Sequence, residues 1–136
     1  MSNIIRAVRH WIKKHKKLKI MKEFVMIFRS ESLPEKKFSP DEMQEVMKAW
    51  QNWMGGMAAQ GKLASSGNRL GGEGRSVKPG NVITNGPFVE LKEIVSGYIV
   101  VHADSIEEAG EMAKNCPLIV GNSGFVEVRD IIQMNG

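Results

Sequence analysis

Apolar residues run without a polar break through Phe24-Val25-Met26-Ile27-Phe28, a short continuous stretch that predicts a buried strand. The period then changes. Beyond a polar loop carrying Pro34, Met43, Val46, Met47, Trp50, Met54, Met57 and Ala58 fall on one helical face. Ser39-Pro40-Asp41-Glu42 opens that helix: Ser39 can cap it, Pro40 suits its first position, and Glu42 completes a capping box. Gly55-Gly56 weakens its last turns, and Gly61 ends it. Residues 62–70 and 76–84 read as two strands pairing around a glycine-rich turn at Gly71, Gly72 and Gly74, although Ser65, Ser66 and Gly67 are poor strand formers. A further strand is expected from Tyr98 to Ala103. A second capping box, Ser105 to Glu108, then opens a helix through Ile106, Ala109, Met112 and Ala113, which Pro117 stops. The last strand runs from Phe125 to Ile131.

The order β-α-β-β-α-β predicts an α+β, ferredoxin-like antiparallel sheet with two helices on one face. A sheet with its second face in water should alternate polar and apolar residues. The stretches 24–28 and 99–101 do not alternate, so the second face needs a cover. A second copy packed sheet to sheet about a two-fold axis is the simplest one, giving a homodimer. The N-terminal helix described next is the competing cover, and dimerisation is favoured over it.

Charge divides the chain into two blocks, 1–20 and 21–136. The formal net charge is +4, but residues 1–20 carry seven Lys or Arg and no acid. That leaves 12 of the 19 bases against all 15 acids in residues 21–136, a net of −3. A mildly acidic body gives no ground for specific nucleic acid binding by it. In the first block Ile4, Ile5, Val8, Trp11 and Ile12 recur at helical spacing, with His15 near the same line and bases elsewhere. Two readings stand: a basic amphipathic helix making a weak contact with an anionic membrane or a partner, or an extension to a domain that begins at Met21. The second is favoured, because Met21-Lys22-Glu23-Phe24 suits the start of a first strand. Cys116 is the single cysteine, so no intrachain disulfide can form, in keeping with a reducing cytoplasm. No apolar run approaches a membrane span, and no signal-peptide pattern is seen at the start.

Asn85-Gly86-Pro87-Phe88-x-Glu90-x-Lys92-Glu93, followed by Gly97-Tyr98, Ser105-x-x-Glu108-Ala109, Cys116-Pro117 and Val126-Glu127-Val128-Arg129, resembles the DGPF group of YCII-related proteins. The resemblance covers Met21 to about Ile131. It implies a ferredoxin-like subunit of a dimeric α/β-barrel, in a group of small, mostly bacterial, cytoplasmic proteins of largely unknown biochemical role. Some relatives are linked to sigma factors, which implies a tie to transcription, though this chain has no sigma-like region. Asn85 replaces the group's Asp, and Asp130 stands where Pro often follows the Arg. Some other YCII-related proteins look like enzymes with a His on the first helix and an Asp before the Pro that ends the second. By spacing those places fall on Trp50 and Cys116, and neither can replace a His–Asp acid–base pair.

Gly86-Pro87 makes a backbone corner, because Gly tolerates positive φ and Pro fixes its own. Phe88 anchors that corner in the core or lines a pocket. Glu90 and Lys92 share a face if they lie on a strand, so with Glu93 they form either an ion pair orienting the loop or, if desolvated, an acid–base group. His102, flanked by Val101 and Ala103, reads as a structural histidine. No metal is expected, since no second His or Cys lies at ligand spacing. Gly71-Gly72-Glu73-Gly74-Arg75 lacks the spacing of a phosphate loop. Nine methionines and the tryptophans of the first helix make a core, with a cleft between helix and sheet as the functional alternative. Trp50 and Met54 would wall that cleft, with Arg69 or Arg129 as anion anchors. The leading expectation is a cofactor-free homodimer binding a small ligand or a protein without catalysis. The alternatives are a small isomerase or lyase using Glu90, Lys92 or Glu93, and a transcription-linked accessory factor.

Overall fold

A computed structural model describes residues 2–15, 21–33, 37–86 and 94–134. Pro34, Phe88, Glu90, Lys92 and Glu93 therefore lie outside the described residues. In chain order the elements are α1 (Ser2–His15), β1 (Lys22–Ser30), α2 (Pro40–Ala59), β2 (Leu63–Arg69), β3 (Arg75–Lys78), β4 (Val82–Asn85), β5 (Ile94–Ala103), α3 (Ile106–Ala113), α4 (Pro117–Val120) and β6 (Gly124–Asp130).

Four strands form one antiparallel sheet in the order β2-β5-β1-β6. This is the ferredoxin-like arrangement, with the first and third long strands at its centre. The uninterrupted apolar run of β1 resolves into two faces. Phe24, Met26 and Phe28 are buried beneath the helices, while Val25 and Ile27 are half-buried on the reverse side. β5 divides in the same way, with Ile99, Val101 and Ala103 inward and Tyr98, Val100 and His102 outward. Met57 of α2, Ala109 and Ala113 of α3, Cys116 and Leu118 complete the core against the inward face.

Capping follows the expected chemistry. Glu42 N donates to Ser39 Oγ and Ser39 N donates to Glu42 Oε1, both at 3.2 Å. The helix continues through Gly55-Gly56 to Ala59. Ser105 supplies the forward half of its own box, accepting from Glu108 N at 3.1 Å.

The expected hairpin between residues 62–70 and 76–84 does not form. β2 instead runs along β5 at the sheet edge, and β3 pairs with β4 as a separate two-stranded ribbon. The turn that closes this ribbon is Pro79-Gly80-Asn81, where Gly80 and Asn81 take φ of 85° and 62°. Its left-handed residues suit a tight hairpin, so the glycines at 71–74 serve only as a connection. β2 is irregular, with register shifts on both sides of Ser65. Gly67 lies there at φ 57°, and a Cβ would strike the Tyr98 carbonyl, so only glycine lets the two backbones approach. β5 also starts earlier than expected, at Ile94, reached through a bulge opposite Phe28 and Arg29.

The part of α1 whose side chains are described does not cover the sheet. Residues 3–10 are exposed throughout, with Ile4 at 69 % and Val8 at 50 %.

Candidate functional site

The inward face of the sheet is not filled to the edge. Between α2, the β1–β5–β2 side of the sheet and the α4 region lies a cavity of about 670 Å³. Phe28 closes its floor, and Met43, Met47, Trp50 and Met54 of α2 form its roof. These positions share one face of α2 because they are spaced by three and four residues.

Trp50 is held by aromatic neighbours. Its ring meets Phe28 edge to face at 4.7 Å between centroids and Trp53 at 5.7 Å. Trp53 is anchored in turn, donating from Nε1 to the Met112 carbonyl at 3.2 Å, which ties α2 to α3. The wall is thus aromatic and ordered on one side, with adaptable thioethers on the other.

Polar groups gather at the margin. Lys37, Glu45, Asn68, Arg69 and Asn115 all contribute to the lining. Asn68 donates from Nδ2 to the Tyr98 hydroxyl at 3.1 Å. The lining residues therefore include two cations, one carboxylate and three amides, Gln51, Asn68 and Asn115, of which Asn68 turns its amide to the outward-facing Tyr98.

Of the residues singled out in the sequence, Trp50, Met54 and Arg69 line this cavity. Arg129 does not belong with them. It is exposed on β6, opposite Val25, on the reverse face of the sheet. His102 is on that reverse side as well, opposite Glu23. Phe88, Glu90, Lys92 and Glu93 lie outside the described residues, whereas Gly86 takes φ 84° as the corner requires. Sequence reasoning missed Phe28, Lys37, Asn68 and the segment from Asn115 to Ser123. Phe28 was hidden inside a continuous apolar run, and the others reach the cavity only through the topology.

Cys116 is fully buried at the N-cap of α4. Burial pushes its thiol up to about 11 from an ordinary 9.0, partly opposed by the backbone N–H groups of Leu118 and Ile119. A thiol in this setting is neutral at physiological pH and is a packing group rather than a nucleophile. Among the described residues no group of three or more His, Cys, Asp or Glu could hold a metal ion. No described helix is long and apolar enough to cross a membrane.

Comparison with curated proteins finds no match. The family model of the YCII-related domain matches residues 24–135. That span runs from β1 through β6 and takes in every element that builds the cavity, and the chain belongs to the YCII-related domain family.

Proposed function

We propose that the protein is a cytoplasmic homodimer, of the DGPF type within its family, that binds a small, partly apolar molecule beneath α2 without transforming it. The cavity carries this reading. Its volume of about 670 Å³ falls within the range of small-molecule sites, which combine apolar walls with a few polar groups. Lys37 and Arg69 at the margin favour a ligand with an anionic end, and the Phe28–Trp50 surface favours a planar or aliphatic body.

Binding without turnover is supported at the two positions where the family resemblance would put an acid–base pair. Trp50 has no titrating group, and the buried Cys116 thiol keeps its proton at neutral pH. The reducing compartment is supported by that same lone, buried cysteine. Dimerisation is supported by the half-buried apolar residues of the reverse sheet face, Val25, Ile27 and Val100.

The test uses native mass spectrometry on protein purified gently from its host, followed by a thermal-shift screen against small aromatic and aliphatic carboxylates. A retained adduct or a stabilising carboxylate is expected. Met54→Lys, which projects a charge into the cavity, should abolish either signal while the fold persists. Retention of the signal in Met54→Lys, or no response from any carboxylate, would sink the reading.

A further inference from the structure

We infer that α1 is an interfacial anchor that seats the protein on an anionic lipid surface. The inference is independent of what the cavity binds. It begins with how α1 separates its apolar residues from its Arg and Lys. At about 100° per residue, positions 4, 5, 7, 8, 11 and 12 fall within an arc of about 160°, and positions 6, 9, 10, 13 and 14 fall on the remainder. The first set is Ile, Ile, Ala, Val, Trp and Ile; the second is Arg, Arg, His, Lys and Lys. No acidic residue interrupts the helix, and Lys16, Lys17 and Lys19 follow it in the sequence.

The described part of its apolar side, residues 4, 5, 7 and 8, buries little in the single chain. Ile4 is 69 % exposed, Ile5 54 % and Val8 50 %, and Arg6 and Arg9 are exposed as well. Leaving three branched aliphatic side chains of one helical face in water is unfavourable, and this face needs an apolar neighbour. Charge identifies the neighbour. All seven bases of residues 1–20 lie in a block without acids, while the rest of the chain carries a net −3. An anionic surface would attract this block and repel the body, holding the protein helix-down. The apolar arc argues against nucleic acid, which needs the bases and has no use for the aliphatic stripe. A lipid headgroup layer over acyl chains satisfies both halves of the helix, which is too short and too charged to cross the bilayer.

The experiment is co-sedimentation of the full chain with phosphatidylcholine vesicles, alone and with about 30 % phosphatidylglycerol, at about 0.1 M and about 0.5 M salt. Binding is expected only to the anionic vesicles, with the bound fraction falling at high salt. Ile4→Glu/Val8→Glu should lower partition by at least about tenfold, because it puts charge in the middle of the buried arc. Both positions are exposed, so the double variant should keep the melting temperature and near-ultraviolet circular dichroism of the parent. Absence of binding to anionic vesicles at low salt overturns the inference. So does undiminished binding by the double variant. A large drop in its melting temperature does the same, since the face would then pack within the protein. Finally, binding to duplex DNA that survives the double substitution, without vesicle binding, would assign the bases to nucleic acid instead.

Discussion

Ile27 offers the sharpest test of the proposed dimer. It lies on the reverse face of the central strand β1, opposite Tyr98 of β5 and Glu127 of β6, with Val25 two residues away. In one chain it is half-buried, so its neighbours already cover part of it, and only the remainder is available to an opposing sheet. Truncation of a fully buried Ile to Ala costs roughly 2–5 kcal/mol, and the share belonging to the interface is then about 1–2 kcal/mol per subunit. A two-fold interface repeats every change, so Ile27→Ala should weaken the dimer by about 2–4 kcal/mol, or roughly 30- to 1,000-fold in Kd. Ile27→Asp should go further, because it desolvates a carboxylate on each side and adds one beside Glu127. The fold should survive either change, since the inward residues Phe24, Met26 and Phe28 are untouched. Sedimentation velocity from nanomolar to micromolar concentration, on protein with residues 1–20 removed, measures the effect directly. A well-folded parent that stays a single subunit at micromolar concentration refutes the reasoning. An Ile27→Ala protein with an unchanged dissociation constant does so equally.

Gly67→Ala places a Cβ against the Tyr98 carbonyl at a φ of 57°, so β2 must shift; a loss of about 2 kcal/mol or more should appear as a lower denaturation midpoint. Ser39→Ala removes the acceptor for Glu42 N and should cost about 1 kcal/mol in the same assay. The Ser39 bonds also hold the Glu42 carboxyl below its usual 4.5. The cap's ionic part is therefore present above that pH and fades as pH falls through the lowered value, a dependence that a Glu42→Gln protein should lack. Cys116 gives the opposite sign at high pH. Between 9.0 and about 11 the unfolded thiol has lost its proton while the native one retains it, so stability falls as pH rises through that window. The slope should approach about 1.4 kcal/mol per pH unit in the parent, and it should be absent from Cys116→Ala, so that the difference between the two carries it. At pH 8 a thiol reagent should label Cys116 only in unfolded protein.

How far the sequence anticipated these features depends on whether the relevant physics was local. Capping at Ser39 and Ser105 is written in four consecutive residues each: the full box forms at Ser39, and at Ser105 the hydroxyl's half of it. The order of strands and helices follows from changes in period, which again are local. The second half of the central hairpin was not legible in this way. Two glycine-bearing stretches, 71–74 and 79–81, compete to be the turn, and the choice depends on whether β2 finds a better partner. It does: β5 offers a long apolar strand with Gly97 opposite Phe28 of β1 and Arg69 of β2, and close approach there needs the glycines of both strands. A decision between local turn chemistry and a distant edge cannot be taken from within the segment itself.

The same distinction accounts for the cavity and connects it to the proposed dimer. Trp50 and Met54 could be named because a helical stripe shows in the sequence, and Arg69 as a cation able to anchor an anion. Phe28 could not, because an apolar run from 24 to 28 gives no sign of which residues face α2. A strand that is apolar on both sides loses the alternation that would have assigned its faces. That loss is itself informative: residues turned away from the helices need not be apolar unless something comes to cover them. Val25, Ile27 and Val100 are apolar and only half-buried, whereas Phe24, Met26 and Val101 behind them are buried. The chain therefore has two apolar surfaces back to back, one enclosing a cavity beneath α2 and one still open. If the open one receives a second copy, the strands flooring the cavity become the middle layer of the assembly. Ligand occupancy and dimer strength would then be coupled through β1 and β5, so a carboxylate that raises the melting temperature should also tighten the dissociation constant measured for the Ile27→Ala protein. Equal dissociation constants with and without a saturating ligand would show the two surfaces to be energetically separate.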